Sequence, residues 1–507
     1  MKPLTEKYLG KFQERIGSEE TLPVRSHEFL IGEHQDWIVF SLSVEKRRWF
    51  AMFVWDPNGH LRVQFLFGKS PETIVLHKDS LQSSPLTLPG DLPAGIYKIE
   101  ILAVEAKREL EYSIEIESGT SHSSFAAETE PLGDHIWAKA DSQTGFSFSS
   151  FDWKMRVETG RRWYKGDFHT HTILSDGKMS RNAGMLQAEK MGLDFFFTTE
   201  HHVMPTAWVS GKALAIPGIE ITSQKGHFNI LGPKHWIDWR YTAADGGMET
   251  EHGMNRILED ARKAGALRSI NHPMLKPWHW WFNDTKLEQV DVIEIWNDPT
   301  YPTNPEATEK ALKLWTALWN DGHKIWGIGG SDSHLTPEES YTENGEPSLI
   351  GDPGTFVLAE GLSAAEILEG VSLGRAYVSR GPLIEASVQV GSQTFTLGDD
   401  LTAALQQNEN NRFDMTIHIE NISPNASIHW IENGEEVLIQ KIEGYRSFSY
   451  SFNWNKEEYN WIRIEVRSED EKLLAFTNPL FCGKRTPSLA TWSQLLTKAE
   501  VLNVDTD

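Results

Sequence analysis

In the stretch YKGDFHTHTILSDG, residues 164–177, His169 and His171 stand one residue apart and Asp176 follows five positions later. Alternate side chains of an extended strand share a face, so His169 and His171 can hold one ion between them. More histidines and acids close the apolar runs that follow. DFFFTTEHH ends in Glu200, His201 and His202; LAIPGIEITS carries Glu220; KGHFNILG carries His227; LRSINHP ends with His272; IWGIGGSDSH ends with Asp332 and His334. Singly, each motif has an ordinary structural reading. An H-x-H can be a hydrogen-bonded pair, SDSH a polar turn that caps a helix, and NHP a turn before proline. Together, and in order within about 170 residues, His169, His171, Asp176, His201, Glu220, His227, His272, Asp332 and His334 read as a metal site. Nine imidazole and carboxylate donors suit two or three divalent ions (Mn, Fe or Zn), with Glu220 or Asp332 bridging a pair.

Such a set needs a scaffold that gathers many strand ends on one rim. From about residue 160 to 380, strand-like runs alternate with the helix-like SRNAGMLQAEKMG, GMNRILEDARKAG and NPEATEKALKLWTALWNDG, each ending near a glycine. The alternation predicts an α/β barrel, whose C-terminal strand ends form the site. Before it, WIVFSLSV, RWFAMFVW, RVQFLFG and YKIEILAV are short strand-like runs punctuated by DPNG and LPGDLPAG, the rhythm of a β-sandwich. Residues 117–150 read as a linker or extended crossing segment. After SRGP the strand rhythm returns in EASVQV, FDMTIHIEN, SFSYSFNW and WIRIEVRS. The expected division is an N-terminal β-sandwich-like domain with its linker (1–150), the metal-bearing domain (160–382), a C-terminal β-sandwich (383–485) and a tail with a short helix and a frayed acidic end (486–507). No repeat of fixed period is visible.

At 507 residues and 39% apolar content, the chain is long enough for two or three ordinary globular cores. A formal net charge of −24, without a basic run to offset it, disfavours nucleic acid and anionic membrane surfaces. The single cysteine, Cys482, excludes an intrachain disulfide and a thiolate cluster. The N-terminal residues lack the apolar core of a signal peptide, and no apolar run is long enough for a membrane helix. A soluble, cytoplasmic protein is expected, with no prediction of its oligomeric state.

The motifs HTHTILSDG, TTEHH (where T-D-H is more usual), PGIEIT, GHFN, NHP and GGSDSH resemble the polymerase and histidinol phosphatase (PHP) family of metal-dependent hydrolases over about residues 160–380. GRAYVSRGP and LAFTNPLF are similar to its carbaryl-hydrolase-like branch. The resemblance implies a distorted (β/α)7 TIM-like barrel, here flanked by the two sandwiches, and commonly three ions. It places His169, His171, Glu220 and Asp332 on the first ion. Glu220, His227 and His272 would hold the second, and Asp176, His201 and His334 the third. Glu200 departs from the family pattern and is read as a carboxylate that orients a histidine. Arg380 is read as a clamp on a substrate phosphate, with a surface salt bridge as its other reading. His202 is read as a general acid or a polar rim residue. Trp278, Trp280 and Trp281 would receive an aromatic leaving group or pack a loop, and the long polar loop after His334 would cover the site or be mobile. The expected function is hydrolysis of small phosphomonoesters or phosphodiesters by metal-bound hydroxide. The alternatives are a carboxylic ester or carbamate hydrolase, and a metal-containing binding protein without catalysis.

Overall fold

The computed structural model describes residues 7–18, 20, 24–44, 49–67, 72–103, 109–120, 130–133, 135–408, 412–444 and 446–501. Seven strands follow one another in both chain order and sheet order: β1 (Glu158–Asp167), β2 (Phe195–Thr198), β3 (Leu214–Ser223), β4 (Gly226–Leu231), β5 (Leu267–Ile270), β6 (Val292–Asn297) and β7 (Trp326–Gly330). Neighbours are parallel except at β4, which is antiparallel to both β3 and β5. Only Gln224 and Lys225 separate β3 from β4, too little chain for a parallel crossover, so the strand doubles back as a hairpin. The start of β4 therefore lies on the same rim as the end of β3. At the two ends of the series, Thr170 bridges to Ser333 and the Asp332 N–H donates to the His169 carbonyl at 2.8 Å. The segments that leave β1 and β7 are thus joined.

The three helix-like runs form α1 (Arg181–Lys190), α2 (Glu251–Lys263) and α3 (Asn304–Asp321). Ser180 and Thr250 cap the first two by accepting from the Ala183 and Gly253 amides. Gly192, Gly265 and Gly322 follow the helices with positive φ, as the stops require. Helices do not accompany every strand: β2 runs to β3 through irregular chain. The structure is thus mixed α/β and richer in strands than a regular βα alternation.

The sheet continues past β1 through Gly354–Leu362, Ala376–Ser379 and Leu473–Thr477 into the C-terminal strands. A second sheet of four strands packs there, burying Val388, Met415 and Ile417 with Trp430, Ile462 and Ile464. At the N-terminal end, two antiparallel four-stranded sheets enclose Ile38, Phe40 and Ile116 from one side and Met52, Ile99 and Ile101 from the other. Part of the expected linker is packed: Trp137, Phe146 and Phe148 join the core that contains Phe53 and the β2 residues Phe195 and Phe197. Residues 121–129 and 134 of that stretch, and residues 502–507, the expected frayed end, lie outside the described residues. The tail helix Trp492–Ala499 buries Trp492, Leu495 and Leu496, each worth about 1.5–3 kcal/mol of burial. Among the described residues no helix is long and apolar enough to cross a membrane.

Candidate metal centre

The nine residues singled out by type and spacing converge on the rim. Their donor atoms form three groups: His169, His171, Glu220 and Asp332; Glu220, His227 and His272; and His171, Asp176, His201 and His334, each group with its atoms within 4.8 Å of one another. His171 belongs to two of them, one more than the ligand sets implied by the motifs. Glu220 sits at the junction. Its Oε1 lies 3.3 Å from His169 Nε2, 3.1 Å from His227 Nδ1 and 3.7 Å from His272 Nε2, while its Oε2 lies 3.4 Å from His171 Nε2 and 2.8 Å from His201 Nδ1. Asp332 Oδ1 is 3.2 Å from His169 and 3.0 Å from His171. Asp176 Oδ1 faces His334 Nε2 at 3.1 Å and His201 Nε2 at 3.4 Å.

Local backbone explains how each donor arrives. His169 and His171 stand just beyond β1, rather than within it. The Asp167 carboxylate, fully buried, accepts the amides of His169, Ser331 and Gly351 and so pins the ends of β1 and β7 together. Burial pushes its pKa up to about 6, against the hydrogen bonds that favour its charge. His227 lies at the start of β4 and reaches the rim only because that strand is antiparallel; it pairs with Thr222, two residues from Glu220 on the same face. This corrects the expectation that every ligand follows a strand's C-terminal end. Two glycines are required for space: a Cβ on Gly330 would stand 2.5 Å from that of His169, and one on Gly177 would stand 2.7 Å from the His171 carbonyl carbon. His272 and Asp332 adopt positive φ of 26° and 46°, costly conformations for non-glycine residues that cluster at functional sites.

The donor chemistry fits divalent cations. His169 Nε2, His171 Nδ1 and Nε2, Asp176 Oδ1 and Glu220 Oε2 are buried without a hydrogen-bond partner, although carboxylates and imidazoles stand within ion-pair distance. Buried polar atoms left in this way are costly unless something else satisfies them. Burial pushes His171 down to about 3 and His227 to about 4, so both present neutral nitrogen. Burial also works against charge on Glu220, but the imidazoles of His169 and His201 hold its carboxyl well below the usual range.

Residues behind the donors orient them, and sequence reasoning missed the principal one. Glu294 Oε1 faces His169 Nδ1 at 3.1 Å, leaving Nε2 for the cluster, and Oε2 accepts the His272 amide at 2.9 Å and Asn297 Nδ2 at 3.1 Å. Its signal was the single acid of the largely apolar strand VIEIWN. Asn271 donates to Glu220 Oε1 at 2.9 Å. His334 is fixed through Nδ1 on the Asp332 carbonyl at 2.7 Å.

Three expectations are corrected. The Glu200 carboxylate orients no histidine; it accepts from Thr172 and Ser175 and so fixes the turn that carries Asp176. His202 is fully buried against Trp239, with ring centroids 4.4 Å apart and both ring nitrogens unpartnered. It is not among the residues that line the cavity at the cluster, so it stands apart from where a general acid would meet a substrate, and burial lowers its pKa to about 3. Arg380 does not line the cavity at the cluster. It forms a two-pronged pair with Asp352 at 2.7 and 2.8 Å and bonds Glu346 at 2.8 Å, anchoring the loop after His334.

That cavity has a volume of about 350 Å³, within the range of small-molecule sites. Its wall includes the donors His201, His227, His272 and Asp332 together with Trp49, Trp278, Tyr301 and Tyr341. Of the three tryptophans in PWHWW, only Trp278 lines it. Trp280 is core, donating to Thr285, and Trp281 is exposed beside His279.

The chain matches no protein-family model and no curated protein. Among solved structures, it is similar to a two-domain protein from Bacteroides vulgatus containing a predicted PHP-like metal-dependent phosphoesterase, with 19% identity over 65% of this chain and 100% of that one and a TM-score of 0.34. It is also similar to a protein from Bifidobacterium adolescentis described as a metal-dependent phosphoesterase, with 14% identity over 36% of this chain and 92% of that one and a TM-score of 0.24.

Proposed function

We propose that the chain is a metal-dependent hydrolase of small esters, first of all phosphomonoesters or phosphodiesters, built on a distorted seven-stranded PHP-type barrel. The observation that carries the reading is the convergence of nine donors into three groups that share Glu220 and His171. Divalent ions held there would supply a nucleophile from water near neutral pH and positive charge for the oxygens of the reacting ester. Glu220 and Asp332 would hold neighbouring ions, with His169 and His171 beside them, while Asp176, His201 and His334 would hold a third near the entrance. Glu294 keeps the Nε2 lone pair of His169 directed inward, and Asp167 fixes the backbone that carries His169. Asn271 holds the Glu220 carboxylate in place. Mn, Fe and Zn all suit this mixture of imidazole and carboxylate.

A second reading, hydrolysis of a carboxylic ester or carbamate, is favoured by the wall of the cavity. No lysine or arginine is among the described residues that line it, and four aromatic rings are. The test is turnover by the full chain loaded separately with Mn, Fe and Zn, on p-nitrophenyl phosphate, bis(p-nitrophenyl) phosphate and naphthyl acetate. Metal-dependent turnover of either phosphate supports the first reading, and of the acetate alone the second. No turnover of any ester by fully loaded protein contradicts both and favours a binding role.

A further inference from the structure

The four aromatic residues of the cavity come from four separate parts of the chain. Trp49 directly precedes the N-terminal strand Phe50–Trp55, Trp278 follows His272, Tyr301 follows β6, and Tyr341 lies in the loop after His334. Trp278 packs edge-on to Tyr301 with centroids 5.8 Å apart, and Tyr301 edge-on to Tyr341 at 5.1 Å. These three form one continuous aromatic wall. Trp49 stands 5.9 Å from the ring of His201, one of the donors. Leu275 adds an apolar side chain to the same space.

Packing alone does not account for this arrangement. Trp280, two residues from Trp278, shows what a structural tryptophan looks like here: it is 1% exposed and its indole N–H is bonded. Trp278 instead stays 38% exposed, and Trp49, Tyr301 and Tyr341 are all partly exposed toward the cavity they line. Partly exposed rings, placed in edge-to-face order around an opening, offer the geometry that a planar aromatic group fills. Asp332, His272 and His201 line the same cavity, so an ester reacting at the cluster would have these rings within reach of its substituent.

We infer that the cavity selects esters bearing an aromatic group, with Trp49, Trp278, Tyr301 and Tyr341 as the residues that recognise it. The N-terminal region is thereby part of the substrate site, because it supplies Trp49. Arg380 serves it at a distance by anchoring, through Glu346 and Asp352, the loop that carries Tyr341. This inference rests on the reading of the cluster as an ester-hydrolysing metal centre.

The experiment measures binding to the zinc-loaded full chain of two probe pairs, phenylphosphonate against methylphosphonate and benzohydroxamate against acetohydroxamate. Each pair shares a metal-binding head and differs in the ring. The aryl member should bind more tightly in at least one pair. Trp278→Ala and Trp49→Ala should each reduce that advantage by about 2- to 12-fold, the range for one aromatic contact. Affinity for the methyl member should stay constant, and Trp278→Phe should keep most of the advantage. Metal content of every variant guards against a folding defect. Absence of an aryl advantage in both pairs overturns the inference, as does an advantage that survives both alanine variants in metal-replete protein. Ester turnover, measured in parallel, separates the two layers. Turnover without aryl preference leaves the hydrolase and removes the aromatic site; aryl preference without turnover does the reverse.

Discussion

Replacing Glu294 by glutamine tests whether residues behind the cluster control it. The side chain is buried and receives donors on both oxygens: the His169 ring on Oε1, and the His272 amide and Asn297 Nδ2 on Oε2. Glutamine keeps the shape but must turn its NH2 toward one side. If it faces the backbone amide and Asn297, it opposes two donors. If it faces His169, the ring must present a lone pair at Nδ1 and carry its proton on Nε2, the nitrogen that points at Glu220 and Asp332. Either arrangement penalises the metal-bound state. Loss of such an orienting carboxylate typically weakens metal affinity about 10- to 100-fold, which is about 1.4–2.7 kcal/mol. Competition against a chromogenic zinc chelator, with circular dichroism to confirm folding, reads this directly. A folded Glu294→Gln protein whose zinc affinity stays within about twofold of wild type would refute the reasoning, because it would mean that His169 needs no partner at Nδ1.

Other perturbations separate structural from metal-binding roles. Arg380→Ala should leave metal content unchanged but cost about 1–3 kcal/mol of stability by breaking a charged hydrogen-bonded pair, and should expose the loop at 335–354 to limited proteolysis. Lost metal with an uncut loop would place Arg380 at the cluster after all. In metal-free protein, burial works against charge on His334, yet the Asp176 and Asp332 carboxylates hold its pKa up to about 10. The raised value adds stability below the unfolded pKa of about 6.5 and loses it as pH rises toward 10. The melting temperature of the metal-free protein should therefore fall across that interval, and saturating zinc should flatten the fall and release protons on binding. Equal slopes in the two states, with no proton release, would count against the cluster as the binding site.

Much of the site was legible because its donors follow local rules. His169, His171, His201, His272, Asp332 and His334 stand just beyond strand-like apolar runs, where one-dimensional order already hints at a shared rim. The three main helices were equally readable from their caps and terminal glycines. What escaped depends on contacts distant in sequence. Glu294 looks like any acid in a strand until β6 is set behind His169. Arg380 fits a clamp by position alone, and only the folding of the loop at 335–354 brings Glu346 and Asp352 onto it. The hairpin at β4 was signalled by its two-residue connection but concealed by the expectation of regular βα alternation. The continuity of the sheet beyond residue 382 rests on Tyr377 pairing with Thr477, a register that no local pattern encodes. Trp49, Tyr301 and Tyr341 carry no motif; their shared cavity exists only in three dimensions.

The central claim is that Glu220 joins neighbouring ions in one cluster, and counting metal in two proteins tests it most directly. Elemental analysis of the wild-type chain and of Glu220→Gln, each reconstituted with zinc and freed of loosely bound ions, should find more than one tightly held ion in the first. The second should hold fewer, because the amide removes the charge shared by the groups that meet at residue 220. A wild-type chain that holds at most one ion, or a Glu220→Gln chain that holds as many as the wild type, would contradict the account.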